Sequence, residues 1–127
     1  MNGFLLAAAV LSAATFLVHV VLGGRQCVPP LLGSDVAWVA RMTHYYCWHL
    51  VSMTLFGMAA GYGYAAWVPE GRDVAWLVTS LAVGFTAWSV VLGLWKRPRP
   101  WHALPQWVLF LAIAATALPG LVAARPS

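Results

Sequence analysis

The chain has 127 residues, of which 62% are hydrophobic and only 8% charged, and its formal net charge at pH 7 is +4. Together with a mean hydropathy of +0.80, this excludes an ordinary soluble domain, and the length leaves no room for a separate soluble domain beside several membrane spans. Nucleic acid is excluded as a partner too, because the lysines and arginines are few and tied to the ends of apolar stretches.

Crossing about 30 Å of hydrocarbon takes about 20 mainly apolar residues. Four stretches have that length, approximately 3–23, 41–68, 74–95 and 101–124. The first has no Lys or Arg ahead of its apolar run, which continues to Leu22, so it reads as a retained span rather than a cleaved leader. Gly24-Arg25, Pro29-Pro30 and Gly33-Ser34-Asp35 then predict a loop over 24–40, long enough to fold back over the bundle end. Ser34 or Asp35 is placed to cap the helix that follows. The connections at 69–73 and 96–100 are short, which forces antiparallel neighbours and an up-down four-helix bundle forming a single domain over residues 1–127. Pro105 and Pro119 are the bend points expected in the last span.

Basic residues set the expected orientation. Arg25, Arg41, Lys96, Arg97 and Arg99 lie on one side and only Arg72 and Arg125 on the other. Lys and Arg near span ends favour the cytoplasm, which puts loops 24–40 and 96–100 there and both termini on the outer face of a bacterial inner membrane. Trp38, Trp67, Trp76, Trp95 and Trp101 fall near predicted interfaces, as amphipathic rings do.

All four histidines then land in the cytoplasmic half: His19 near the end of the first span, His44 and His49 at the start of the second, and His102 at the start of the fourth. A titratable ring in hydrocarbon needs a partner, a cofactor or a water cavity, which makes a shared site the natural expectation. At about 100° per residue, Ser12, Thr15 and His19 share a face, Thr79, Thr86 and Ser89 share another, and His102, Gln106 and Thr116 form a third stripe. Such hydroxyls also serve plain packing, by bonding across helices or back to their own carbonyls. His44 and His49 project about 140° apart, so they do not share one ion, and Arg41, Tyr45, Trp48 and Ser52 fill the wedge between them.

These residues support several chemistries. A haem between two helices needs one imidazole from each at similar depth; His19 with His49 or His44 meets that condition, with Arg25 and Arg41 available to the propionates. Chlorophyll, which needs a single imidazole, is a lesser variant. A metal ion held by His44 and Cys47, three residues apart, would need His19 or His102 to approach the four ligands of zinc. The rival reading is a non-enzymatic accessory subunit in which these side chains contact a membrane-protein partner, a second copy or lipid headgroups. Transport is disfavoured because Asp35, Glu70 and Asp73 all lie outside the spans. A nucleophilic Cys47 lacks a close cation to lower its pKa. On the reducing side of the membrane, Cys27 and Cys47 are expected as free thiols.

Overall fold

In a computed structural model describing residues 1–97 and 105–123, every element is helical. The chain runs through α1 (Gly3–Leu17), a π-helical segment (Val18–Gly23), α2 (Gly24–Leu32), α3 (Trp38–Trp67), a 3-10 turn (Pro69–Gly71), α4 (Arg72–Lys96) and α5 (Gln106–Val122). The first three form one continuous 30-residue helix, Gly3–Leu32. This helix and Pro69–Lys96 are long and apolar enough to cross a membrane, and α5 is a shorter apolar helix. The protein is therefore an all-α bundle with two helices of membrane-span character. At 30 residues α3 has the length, but His44, Tyr45, Tyr46, His49 and Ser52 dilute its apolarity.

The expected loop over 24–40 is corrected: the chain stays helical to Leu32 and connects to α3 through 33–37. Gly23 and Gly24 do not break the helix; both hold right-handed helical angles. Gly23 serves packing instead, since a Cβ there would lie 2.7 Å from Cη2 of Trp48. Pro29 and Pro30 remove the donors that would bond the carbonyls of Arg25 and Gln26, and the helix ends shortly after them. Ser34 does not cap α3, whose N-cap is Ala37 with no side-chain bond. Its Oγ donates instead to Leu31 O at 2.7 Å, closing the end of α2.

Four helices meet at the end carrying Asn2 and the α3–α4 turn. Asn2 caps α1 by accepting from the backbone of Phe4 and Leu5, and its Nδ2 donates to Gly120 O at 2.8 Å. Its own N–H donates to Ala66 O at 2.7 Å, and Arg72 Nη2 donates to Leu121 O. Inside, α1 packs against α3 and α5, α5 against α4, and α3 meets α4. The core here is rich in alanine, with Ala8, Ala65, Ala66, Ala75, Ala82, Ala114 and Ala117 buried around Leu55, Met58, Tyr62 and Ile113. Small side chains let helix backbones come close enough for van der Waals contact to hold them.

The core stops halfway. No residue of the first helix beyond Thr15, of α3 before Leu55, of α4 beyond Ala82 or of α5 before Ile113 is buried among the described residues. Phe16 meets Phe56 edge-on at 6.1 Å, and Phe85 lies 5.0 Å from Phe110, closing the packed half. Past these rings no described residue is buried, and this end carries His19, His44 and His49.

Candidate functional site

His19 lies in the π-helical segment, a distortion of the helical ladder that recurs at functional sites. Its ring is half-buried and stacks on the indole of Trp48, with centroids 3.9 Å apart and planes 19° from parallel. Nε2 lies 3.4 Å from the Trp48 carbonyl oxygen. A carbonyl only accepts, so Nε2 carries the proton and Nδ1 keeps the lone pair. The bare Gly23 backbone allows this arrangement by letting the indole lie flat against the first helix.

The other histidines occupy different surroundings. His44 is exposed, and its Nδ1 donates to Ala40 O at 2.7 Å, which leaves the Nε2 lone pair pointing away from the helix. His49 is exposed and meets Tyr45 edge-on at 4.7 Å. His102 lies outside the described residues. Trp48, not His44 or His49, stands against His19, so paired imidazoles are not face to face here. Among the described residues no three His, Cys, Asp or Glu side chains converge on a metal position.

Arg41 lies in the first turns of α3, where Nη1 donates to Ser34 O at 2.8 Å while Nε is buried with no partner. A guanidinium here faces the carbonyl end of α2, where a positive charge is favoured. Arg25 is exposed on α2. Cys27 and Cys47 are both free and exposed. Arg41, Tyr45, Trp48 and Ser52, the wedge between the two histidines, are each half-buried.

The hydroxyl stripes take the packing role. Ser12, Thr15, Thr79, Thr86 and Thr116 each donate to the carbonyl four residues earlier. One of them also crosses between helices: Tyr62 Oη lies 2.8 Å from Thr79 Oγ1. Sequence reasoning missed that pair, although a tyrosine in an apolar span calls for a hydrogen-bond partner. It also missed a cleft of about 540 Å³ at the Asn2 end, walled by Phe4, Ala66, Trp67, Arg72 and Gly120 among others. Asn2 directly before an apolar run is an N-cap signature that points to this end.

No family model, curated protein or solved structure matches the chain. The functional reading therefore rests on geometry and chemistry.

Proposed function

We propose that the chain is a four-span integral membrane protein with both termini on the outer face, acting as a non-catalytic subunit whose open, histidine-bearing half receives a partner membrane protein. The observation that carries this reading is the half-built core: a bundle packed at one end leaves inward-facing surface on every helix at the other. The membrane placement and the orientation each have one support. Trp38, Trp67 and Trp95 are exposed at helix ends, as interfacial belts require. Arg25, Arg41, Lys96 and Arg97 gather at the open end, which the preference of basic residues for the cytoplasm turns inward. The continuous helix Gly3–Leu32 is about 45 Å long, so its last turns, with Arg25, stand in the interface or beyond it.

A substitution inside the open half tests the proposal. Val51→Arg should dissociate the chain from a stoichiometric complex on native gels of mild-detergent extracts, while Val122→Arg at the opposite end should leave that complex intact. A lone monodisperse chain in the unmodified extract overturns the reading.

Haem binding, with His19 as a ligand, is a second reading, favoured by the free Nδ1 lone pair that the bond to the Trp48 carbonyl leaves. A metal-ligating histidine ordinarily donates its other ring N–H to such a carbonyl. When bound, haem would supply one-electron redox chemistry. A Soret band that shifts on dithionite reduction and disappears in His19→Ala supports it; a flat spectrum from folded, haem-supplied protein removes it.

A further inference from the structure

The cleft at the Asn2 end has no part in the function proposed above. It holds about 540 Å³, within the roughly 300–1,000 Å³ of small-molecule sites. It lies between the start of α1, the α3–α4 turn and the end of α5, at the end opposite His19, His44 and His49. Its walls are mostly apolar, from Phe4, Leu5, Ala65, Ala66 and Trp67, and its one charged side chain is the half-buried Arg72. Glu70 and Asp73 are close to Arg72 in the chain, yet both are exposed, neither lines the cleft, and among the described residues neither pairs with the guanidinium. The oxygens nearby are already engaged. Gly120 O accepts from Asn2 Nδ2 at 2.8 Å, Ala66 O from the Asn2 N–H at 2.7 Å, Leu121 O from Arg72 Nη2, and Asn2 Oδ1 from the backbone of Phe4 and Leu5. No other side-chain oxygen lines the cleft. A guanidinium carries five N–H donors, and this one spends a single donor on the bundle. Donors and positive charge therefore outnumber what the protein itself supplies to meet them.

We propose that this cleft binds an anionic amphiphile, a carboxylate or phosphate head joined to an acyl chain, with the head on Arg72 and the start of the chain along Phe4, Ala66 and Trp67. Charge selects the head: guanidinium N–H groups meet carboxylate and phosphate oxygens in charge-assisted pairs. The walls select the body, because a bare inorganic anion would leave their apolar surface uncovered, whereas an acyl chain removes it from water. A free fatty-acid anion and the headgroup region of an anionic phospholipid share this chemistry. The site stands apart from the half proposed to receive a partner, so it is testable on the isolated chain whether or not a partner exists. Only the supply of the ligand from lipid rests on the membrane placement proposed above.

The test is native mass spectrometry of the full chain released from non-ionic detergent after titration with laurate, phosphatidylglycerol, phosphatidylcholine of the same acyl chains, or inorganic phosphate. One equivalent of laurate or phosphatidylglycerol should stay bound, at least tenfold more tightly than phosphatidylcholine. Retention of laurate alone assigns a free amphiphile, retention of phosphatidylglycerol alone a bilayer lipid, and competition between the two the shared chemistry; each of these supports the proposal. Arg72→Gln should weaken anion binding at least tenfold, and Arg72→Lys, which keeps the charge without the planar fork, should weaken it less. Because Arg72 also ties α4 to Leu121 of α5, a second variant leaves that bond in place. Gly3 lines the cleft, and a Cβ there meets nothing within 4 Å, so Gly3→Leu should fill part of the space and weaken binding at least tenfold with Arg72 intact. Lys96→Gln, at the far end of α4, should change nothing. Circular dichroism of each variant shows that the helices persist. Equal retention of the two phospholipids, inorganic phosphate bound as tightly as laurate, no retention of either anionic amphiphile, or parental binding by both Arg72→Gln and Gly3→Leu overturns the proposal.

Discussion

The buried Tyr62–Thr79 pair gives the sharpest test of how the packed half is held. Thr79 Oγ1 donates its one hydrogen to Ala75 O at 2.7 Å, so the 2.8 Å contact with Tyr62 is a bond from the phenol to the threonine oxygen. Both side chains are out of contact with the surroundings, at 0% and 2% exposure. Tyr62→Phe removes donor and bond together, and should cost about 0.6–1 kcal/mol. Thr79→Val leaves a phenol hydrogen buried with no acceptor, and should cost about 1–3 kcal/mol. In the double variant the stranded hydrogen is gone, so the total should fall about 1 kcal/mol below the sum of the single changes. Reversible unfolding in mixed micelles, followed by tryptophan fluorescence, measures all four states. A Thr79→Val cost no greater than that of Tyr62→Phe, or a strictly additive double variant, would refute the assigned donor direction.

Two further substitutions probe the backbone. Gly23→Ala should destabilise by about 1–3 kcal/mol through overpacking, because its Cβ meets the Trp48 indole at 2.7 Å, and should abolish the ring-current shift of the His19 protons in NMR spectra. Gly24→Ala, with nothing within 4 Å of its Cβ, should be neutral or stabilising by up to about 1 kcal/mol; equal costs at the two positions would rule out the packing role of Gly23. Arg97 ends α4 in the left-handed region at φ 45°, so Arg97→Gly should stabilise by about 1 kcal/mol, measured in the same unfolding assay.

Helix existence was legible from apolar run length, and α3 and α4 begin and end within a few residues of the stretches read as 41–68 and 74–95. The misreading at 24–40 has a definite cause. The loop was read from Gly24-Arg25, Pro29-Pro30 and Gly33-Ser34-Asp35, but Gly24 takes right-handed helical angles, the two successive prolines only shorten the helix, and Gly33 stands at its end. That His19, His44 and His49 fall at one end of the bundle was legible from helix order, but their partners were not. The sequence marks where a ring lies along its helix; that His19 meets an indole depends on the bare Gly23 surface opposite Trp48, whereas His44 turns back to a carbonyl of its own helix.

The asymmetry of the bundle follows from what holds helices together in lipid. Acyl chains are as apolar as leucine, so no hydrophobic force closes a gap between membrane helices, and contact depends on small residues that allow close approach. The Asn2 half has them in facing registers, Ala8 and Ala9 on α1, Ala65 and Ala66 on α3, Ala75 and Ala82 on α4, Ala114 and Ala117 on α5. The histidine half keeps small residues on α4, Thr86, Ser89 and Gly93, but α3 carries Trp48 and Tyr45 and α5 carries Trp107, rings too large for the same spacing. In water an open half would collapse to bury apolar surface; in the bilayer proposed for this chain it stays open. Polar side chains such as His44 and Cys47 stay exposed there. Replacing Val51 and Trp48 by alanine would remove bulk from α3 while Tyr45 and Trp107 remain, so the half should remain open, and the exposed Cys47 thiol should react with maleimide as fast as in the parent chain. Protection of Cys47 in that variant would show that ring size alone keeps the helices apart.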